Sequence, residues 1–268
     1  MFDLQHLPVG ARALAEHRTF PIQIFSLGRF SVSRGAEPIR FARKAQHRPL
    51  ELLKVLLALG GREVATDQLA AALWPESEGD VAYNAFEITL HRLRRLLGIE
   101  KSLVLSNGLL TLDNRLCWVD IWALEQATGN AESLLNKGEP DPDALASLSS
   151  TVLALYHGHF LGRETPEAWS ISLRERLRSK FLRHLIDVAR FWERIGRHES
   201  AIECYLKGLE VDDLAEIFYQ RLMVCYQQLG RRSEALAVYR RCRTTLSLIL
   251  AISPSPATDA IHRRLIQV

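Results

Sequence analysis

The residues with the most chemistry to offer in this 268-residue chain lie between Asn84 and Gly98. Phe86, Leu90, Leu93 and Leu97 recur at spacings of four, three and four, which marks one face of an α-helix. The opposite face carries Asn84, Ile88, His91 and Arg95, with Glu87 and Arg92 on its flanks. Arginine forks onto guanine and asparagine onto adenine in the major groove, so this mixture has the chemistry to read base edges. A face that is only solvated more often alternates Glu and Lys, and a solvated helix in a protein-binding module is the other reading. Arg94 lies to one side, where a phosphate or an intramolecular carboxylate suits it better than a base. Elsewhere the chemistry is thin. His157-x-His159 has no Cys or carboxylate ligand at fixed spacing and reads as a capped helix end rather than a metal pair. No Walker motif, Gly-x-Ser-x-Gly or His-Glu-x-x-His occurs, so no enzyme activity and no cofactor are expected.

The elements around this helix follow a recognisable order. Residues 1–20 lack a period and read as a tail. Ile22 and Ile24, then Phe30 and Val32, then Ile39 and Phe41 alternate as short strands broken by Gly28, Arg34-Gly35 and Pro38. A basic cluster, Arg43, Lys44, His47 and Arg48, precedes Pro49 near the start of a helix carrying Leu50, Leu53, Leu56 and Leu57, which ends at Gly60-Gly61. Arg43, Lys44 and Arg48 read equally as phosphate contacts and as ordinary surface charge. Thr66 is the expected N-cap of a short helix reaching Trp74, and Pro75 stops it. After the acidic loop Pro75–Asp80 and the long helix Val81–Gly98, two apolar runs flank Asn107-Gly108, a strong hairpin cue. Sheet, helix, short helix, long helix and hairpin make a winged helix-turn-helix. Its wing tip, Ser106-Asn107-Gly108, has no Lys or Arg to enter a minor groove; Lys101 and Arg115 only flank it.

The second half repeats itself. Gly196, Ala201 and Tyr205 recur as Gly230, Ala235 and Tyr239, each 34 residues on, which is the tetratricopeptide period. A long helix from Trp169 to Ile195 and a final one from Ala257 to Ile266 bracket these repeats. Residues 119–268 therefore read as all-α.

Composition agrees with two domains. The chain is 47% apolar and 24% charged, which is globular, and holds no run of 18 apolar residues to span a membrane. Residues 1–118 hold 15 Lys/Arg against 12 Asp/Glu, whereas residues 119–268 hold 19 against 19, so the net charge of +3 sits in the half with the base-reading helix. Four cysteines without Cys-x-x-Cys spacing and a start without signal-peptide sections point to reduced thiols and a cytoplasmic protein.

Several residues, in this order, carry a family resemblance. Arg43-Lys44-Ala45-Gln46, Gly61-Arg62-Glu63-Val64, Leu73-Trp74-Pro75 and Asn84-Ala85-Phe86 through Gly98 resemble the OmpR-type winged helix of SARP-type bacterial regulators. Cys117-Trp118-Val119-Asp120, Leu155-Tyr156-His157-Gly158-His159-Phe160-Leu161, the two repeats and Pro254-Ser255-Pro256 resemble the bacterial transcriptional activator domain that follows it in that family. The resemblance implies an N-terminal tail at 1–20, an α+β DNA-binding domain at 21–118, and an all-α tetratricopeptide-like domain at 119–268. It also implies Asn84, Glu87, Ile88, His91, Arg92 and Arg95 facing the bases of double-stranded DNA, with Arg43, Lys44, Arg48 and Arg94 on phosphates. By the same resemblance Glu76, Glu78 and Asp80 occupy the place where OmpR-type domains touch RNA polymerase, although a plain connector fits them equally. Binding to direct repeats as a homodimer or tandem assembly in the bacterial nucleoid, without a membrane partner, completes the expectation. A helical-repeat adaptor and the output module of a larger signalling regulator are the alternatives.

Overall fold

The structure is a computed structural model that describes residues 19–35, 37–39, 47–77, 79–138 and 140–267. The chain packs into two compact units. The first comprises the described residues up to Gln126 together with Ser150–Leu177; the second comprises Ala127–Ser149 and the chain from Arg178 onward.

Two small sheets build the first unit. Strands β1 (Ile22–Phe25), β2 (Ser31–Arg34), β3 (Glu37–Pro38) and β7 (Cys117–Val119) form one, in the order β3-β2-β1-β7. Ile24 pairs with Val32 across the antiparallel β1/β2 ladder and with Val119 across the parallel β1/β7 ladder. Ile22, Ile24 and Val32 are buried; burial alternates along β2, whereas in β1 Gln23 between the two isoleucines is buried as well. The third strand is shorter than the sequence pattern implies, and Phe41 lies outside the described residues. Strand β7 is not legible as a strand at all: its three residues are all buried, so no alternation marks it. It also straddles residue 118, where the composition shifts.

The second sheet has the order β4-β6-β5, with β4 at Val64–Ala65, β5 at Leu103–Ser106 and β6 at Leu109–Leu112. Asn107 and Gly108 turn the β5/β6 hairpin with φ of +51° and +73°. Two positive values are what a tight turn needs to follow the right-handed strand twist. Helix α1 (His47–Ala58) buries Leu52, Leu53, Val55, Leu56 and Leu57. It closes at Gly60-Gly61, where the Gly61 N–H donates to Leu56 and the Gly60 N–H to Leu57. Helix α2 runs from Thr66 to Leu73. The expected Thr66 cap is not there: Ala65 holds the cap position without a side-chain bond, and Thr66 is the first helical residue. Its N–H donates instead to the Gly108 carbonyl at 2.9 Å, so the hairpin turn satisfies a helix-end donor that a side chain would otherwise take. Helix α3 (Gly79–Leu97) packs on both α1 and α2.

Helices α4 (Asp120–Leu135), α5 (Pro142–Leu155) and α6 (Ala168–Arg194) give residues to both units. The second unit continues through α7 (His198–Val211), α8 (Glu216–Gln228), α9 (Arg232–Leu250) and α10 (Pro256–Gln267). The 34-residue repeat is visible in its hydrogen bonds. Gly196 ends α6 and Gly230 ends α8, with φ of +76° and +70°. In each case the following arginine N–H reaches back to an aromatic residue, Arg197 to the Trp192 carbonyl and Arg231 to the Tyr226 carbonyl, both at 2.8 Å. Each arginine also lays its guanidinium over that same ring, at 5.5 Å and 4.9 Å. Ala201 and Ala235 are fully buried, and the close packing they permit goes further at Gly208, where a Cβ would stand 2.3 Å from the Phe218 ring. Cys117, Cys204, Cys225 and Cys242 are buried free thiols, and burial pushes each thiol pKa up, Cys117 to about 12.

Candidate nucleic-acid interface

Helix α3 is fixed from behind and from both ends. Ala82, Phe86, Thr89, Leu90, Leu93 and Leu97 are buried against the unit's core. Burying four large apolar side chains contributes about 1.5–3 kcal/mol each, which sets the helix's rotation about its own axis. At the C-terminal end Gly98 takes φ +73°, and its N–H donates to the Arg94 carbonyl at 2.9 Å. That positive φ is what favours glycine there, because an L side chain would be strained in it. At the N-terminal end Asp80 sits in the first turn, where a carboxylate complements the helix dipole.

With that rotation set, Asn84, Glu87, Ile88, His91, Arg92 and Arg95 are all exposed. They form one outward surface, bearing two guanidinium groups and an imidazole against a single carboxylate. Val81 continues the same stripe one turn earlier and is 61% exposed. Sequence reasoning passed over it, although its spacing of three from Asn84 and seven from Ile88 is the signal that places it there. Tyr83, 41% exposed, flanks it.

The residues expected on phosphates divide. Arg43 and Lys44 lie outside the described residues. Arg48 is exposed at the start of α1 but is engaged: one guanidinium nitrogen donates to Glu51 at 2.9 Å and to the Leu73 carbonyl at 3.3 Å, tying α1 to the end of α2. Arg94 is engaged within the unit. Its Nε and Nη2 both donate to the Leu103 carbonyl, at 3.2 and 2.9 Å, and the side chain is half-buried. A guanidinium used this way fastens α3 to the hairpin through a backbone oxygen.

In the acidic loop Glu76 and Asp80 are exposed, and Glu78 lies outside the described residues. The Ser77 N–H donates to the Trp74 carbonyl at 3.1 Å, so Pro75-Glu76 forms a tight turn that pushes Glu76 outward. The hairpin tip at Ser106-Asn107-Gly108 is exposed and uncharged. At the other end of the hairpin Arg115 is paired with Asp113 at 2.6 Å, and the hydrogen bond from Arg115 holds the Asp113 carboxyl below its usual pKa range. His157 and His159 follow the end of α5 and line a cleft of about 610 Å³ with Arg29 and Arg163, over Phe25 and Trp118. No group of three or more His, Cys, Asp or Glu suited to a metal ion occurs among the described residues. None of their helices is long and apolar enough to cross a membrane.

Comparison with known proteins adds to this geometry. Residues 119–266 match the family described as "Bacterial transcriptional activator domain". The chain is 26% identical over 241 residues to the regulatory protein AfsR of Streptomyces griseus, covering 90% of this chain and 24% of AfsR. It is 27% identical over 228 residues to the transcriptional regulatory protein EmbR of Mycobacterium tuberculosis, covering 81% of this chain and 56% of EmbR. It therefore spans about a quarter of the one relative's length and just over half of the other's. Among solved structures, Mycobacterium tuberculosis EmbR in complex with a low affinity phosphopeptide superposes with a TM-score of 0.69 at 22% identity, over 92% of this chain and 65% of that one. At that identity the likeness is one of fold, and it covers both the strand-and-helix part and the helical part.

Proposed function

This chain belongs to the bacterial transcriptional activator domain family, as a SARP-type transcriptional regulator, and from that membership we propose how it engages DNA. Regulators of this family are not enzymes. In the proposed mode α3 enters the major groove of double-stranded DNA. Asn84, Glu87, Ile88, His91, Arg92 and Arg95 face the bases, while Arg48 and the N–H groups at the start of α1, with Arg43 and Lys44, take phosphates. Arg94 holds the reading helix in register instead of touching DNA. Glu76, Glu78 and Asp80 meet a basic surface of RNA polymerase. Copies bind side by side on direct repeats in the bacterial cytoplasm, and the helical residues from 119 onward supply the contacts between them.

One observation carries this reading. A helix whose inward face is buried and, apart from Thr89, apolar presents amide, imidazole and guanidinium groups around Ile88 on its outward face. Major-groove edges offer acceptor and donor patterns that match those groups, and each bidentate pair contributes about 1–3 kcal/mol of discrimination. Selection of bound sequences from random DNA tests it. A recurring site, with affinity falling by about 0.9 decade per decade of salt for each phosphate contacted, is the expected outcome. Arg95→Ala is expected to relax preference at one position and cost about 1–3 kcal/mol on the selected site. Binding that is equal for all sequences, or flat in salt, would overturn the mode.

A further inference from the structure

Ile88 stands at the centre of the outward face of α3, 55% exposed, with Asn84 one turn before it and His91 and Arg92 one turn after. Single exposed aliphatic residues are common on protein surfaces, so exposure alone says little. The place says more. Between Asn84 and Leu97 it is the only exposed large hydrophobic residue among the described residues, and every exposed neighbour on the face can hydrogen-bond a base or a phosphate. The major groove offers one apolar group for such a side chain to meet, the 5-methyl of thymine. A β-branched side chain on a helix is already held near one rotamer, so little freedom is lost when it packs against that methyl.

We infer that Ile88 is a specificity-determining residue that reads thymine through its 5-methyl group, at a position between those read by Asn84 and Arg95. This rests on the major-groove reading above and deepens it. At about 1.5 Å per residue, Asn84 and Arg95 are about 16 Å apart along the helix, or roughly five base steps of 3.4 Å. Ile88 lies about 6 Å from Asn84, so its thymine falls about two steps from the base that Asn84 contacts and about three from that of Arg95.

The test replaces thymine by uracil, which removes the methyl and leaves every hydrogen-bonding edge intact. Each thymine of the selected site is substituted in turn, and affinity is measured for the wild-type chain and for Ile88→Ala. Because Ile88 is not part of the core, the variant is expected to keep its fold, checked by its far-ultraviolet spectrum and unfolding midpoint. The expected result is a loss of about fourfold in wild-type affinity at one thymine, corresponding to one methyl group removed from contact. Ile88→Ala binds thymine and uracil there equally, and its own selected sequences lose the preference at that position while keeping the others. If wild type tolerates uracil at every position, or Ile88→Ala shows the same penalty as wild type, the inference is overturned while DNA binding stands. If no sequence is selected at all, the groove reading itself fails, which is a separate and recognisable outcome.

Discussion

The two compact units bury their polar groups in opposite ways. In the first, one carboxylate gathers distant parts of the chain: Asp120, at the start of α4, accepts the Ser26 hydroxyl and the backbone N–H groups of Ser26 and Leu27, 94 and 93 residues away in sequence, as well as its neighbour Ile121. In the second, the recurring device is local and is used twice. Gly196 and Gly230 end their helices with the same hydrogen bonds, and each is followed by an arginine stacked on an aromatic ring five residues earlier. Its buried imidazole, His184, stands 3.4 Å from the Ser149 hydroxyl. The first unit therefore draws distant segments onto one buried carboxylate, whereas the second closes two of its helices with the same short-range contacts. Damage is expected to be concentrated in the first and shared out in the second.

The sharpest way to break this contrast is Asp120→Ala. It strands three backbone N–H groups and a hydroxyl in a buried site, at about 1–3 kcal/mol for each unsatisfied group, so the first unit is expected to lose about 4 kcal/mol or more. Denaturant unfolding followed by amide exchange in each unit measures it; equal loss of protection in the two units would remove the distinction. A change of pH separates them next. Burial raises the Asp120 pKa to about 6 against the four hydrogen bonds that pull it down, so its contribution is complete below about pH 4 and is lost as pH rises towards 6. Burial lowers the His184 pKa to about 4, so its contribution is present above about pH 6.5 and is lost as pH falls towards 4. Between pH 4 and 6.5 the first unit is expected to weaken and the second to strengthen as pH rises. Exchange protection, corrected for intrinsic rates, checks the two signs, and Asp120→Asn and His184→Gln should each flatten their own unit alone. The smallest effect is expected from Gly230→Ala, which puts a Cβ on a residue with positive φ in open space, at about 1–2 kcal/mol. Gly196→Ala is expected to match it, and a large difference between the two would show that the repeats are not energetically alike.

The same contrast explains what was legible in the sequence. Helix α3, the Asn107-Gly108 turn and the 34-residue repeat are local patterns, and each is found close to where periodicity and turn chemistry put it. What stayed hidden was settled by distant partners. Nothing near Asp120 in sequence announces Ser26, and a three-residue strand buried on both faces has no alternation to betray β7. Thr66 has the right chemistry for a cap, but the hairpin turn satisfies its N–H instead. Arg94 could be placed off the base-facing stripe by its angle on the helix, while its partner, the Leu103 carbonyl, became visible only once the hairpin was folded beside it. Of the candidate interface, the exposure of the residues opposite the buried face of α3 was legible from their spacing. Val81 was missed because the eye follows polarity before position.

The matched closures at Gly196 and Gly230 also bear on how such a protein can lengthen. A helix pair that ends the way its predecessor ends offers a successor the same start, so duplicating one 34-residue stretch would add a pair without requiring new solutions at either seam. Growth by whole copies would extend the reach of the helical part while leaving α3 unchanged.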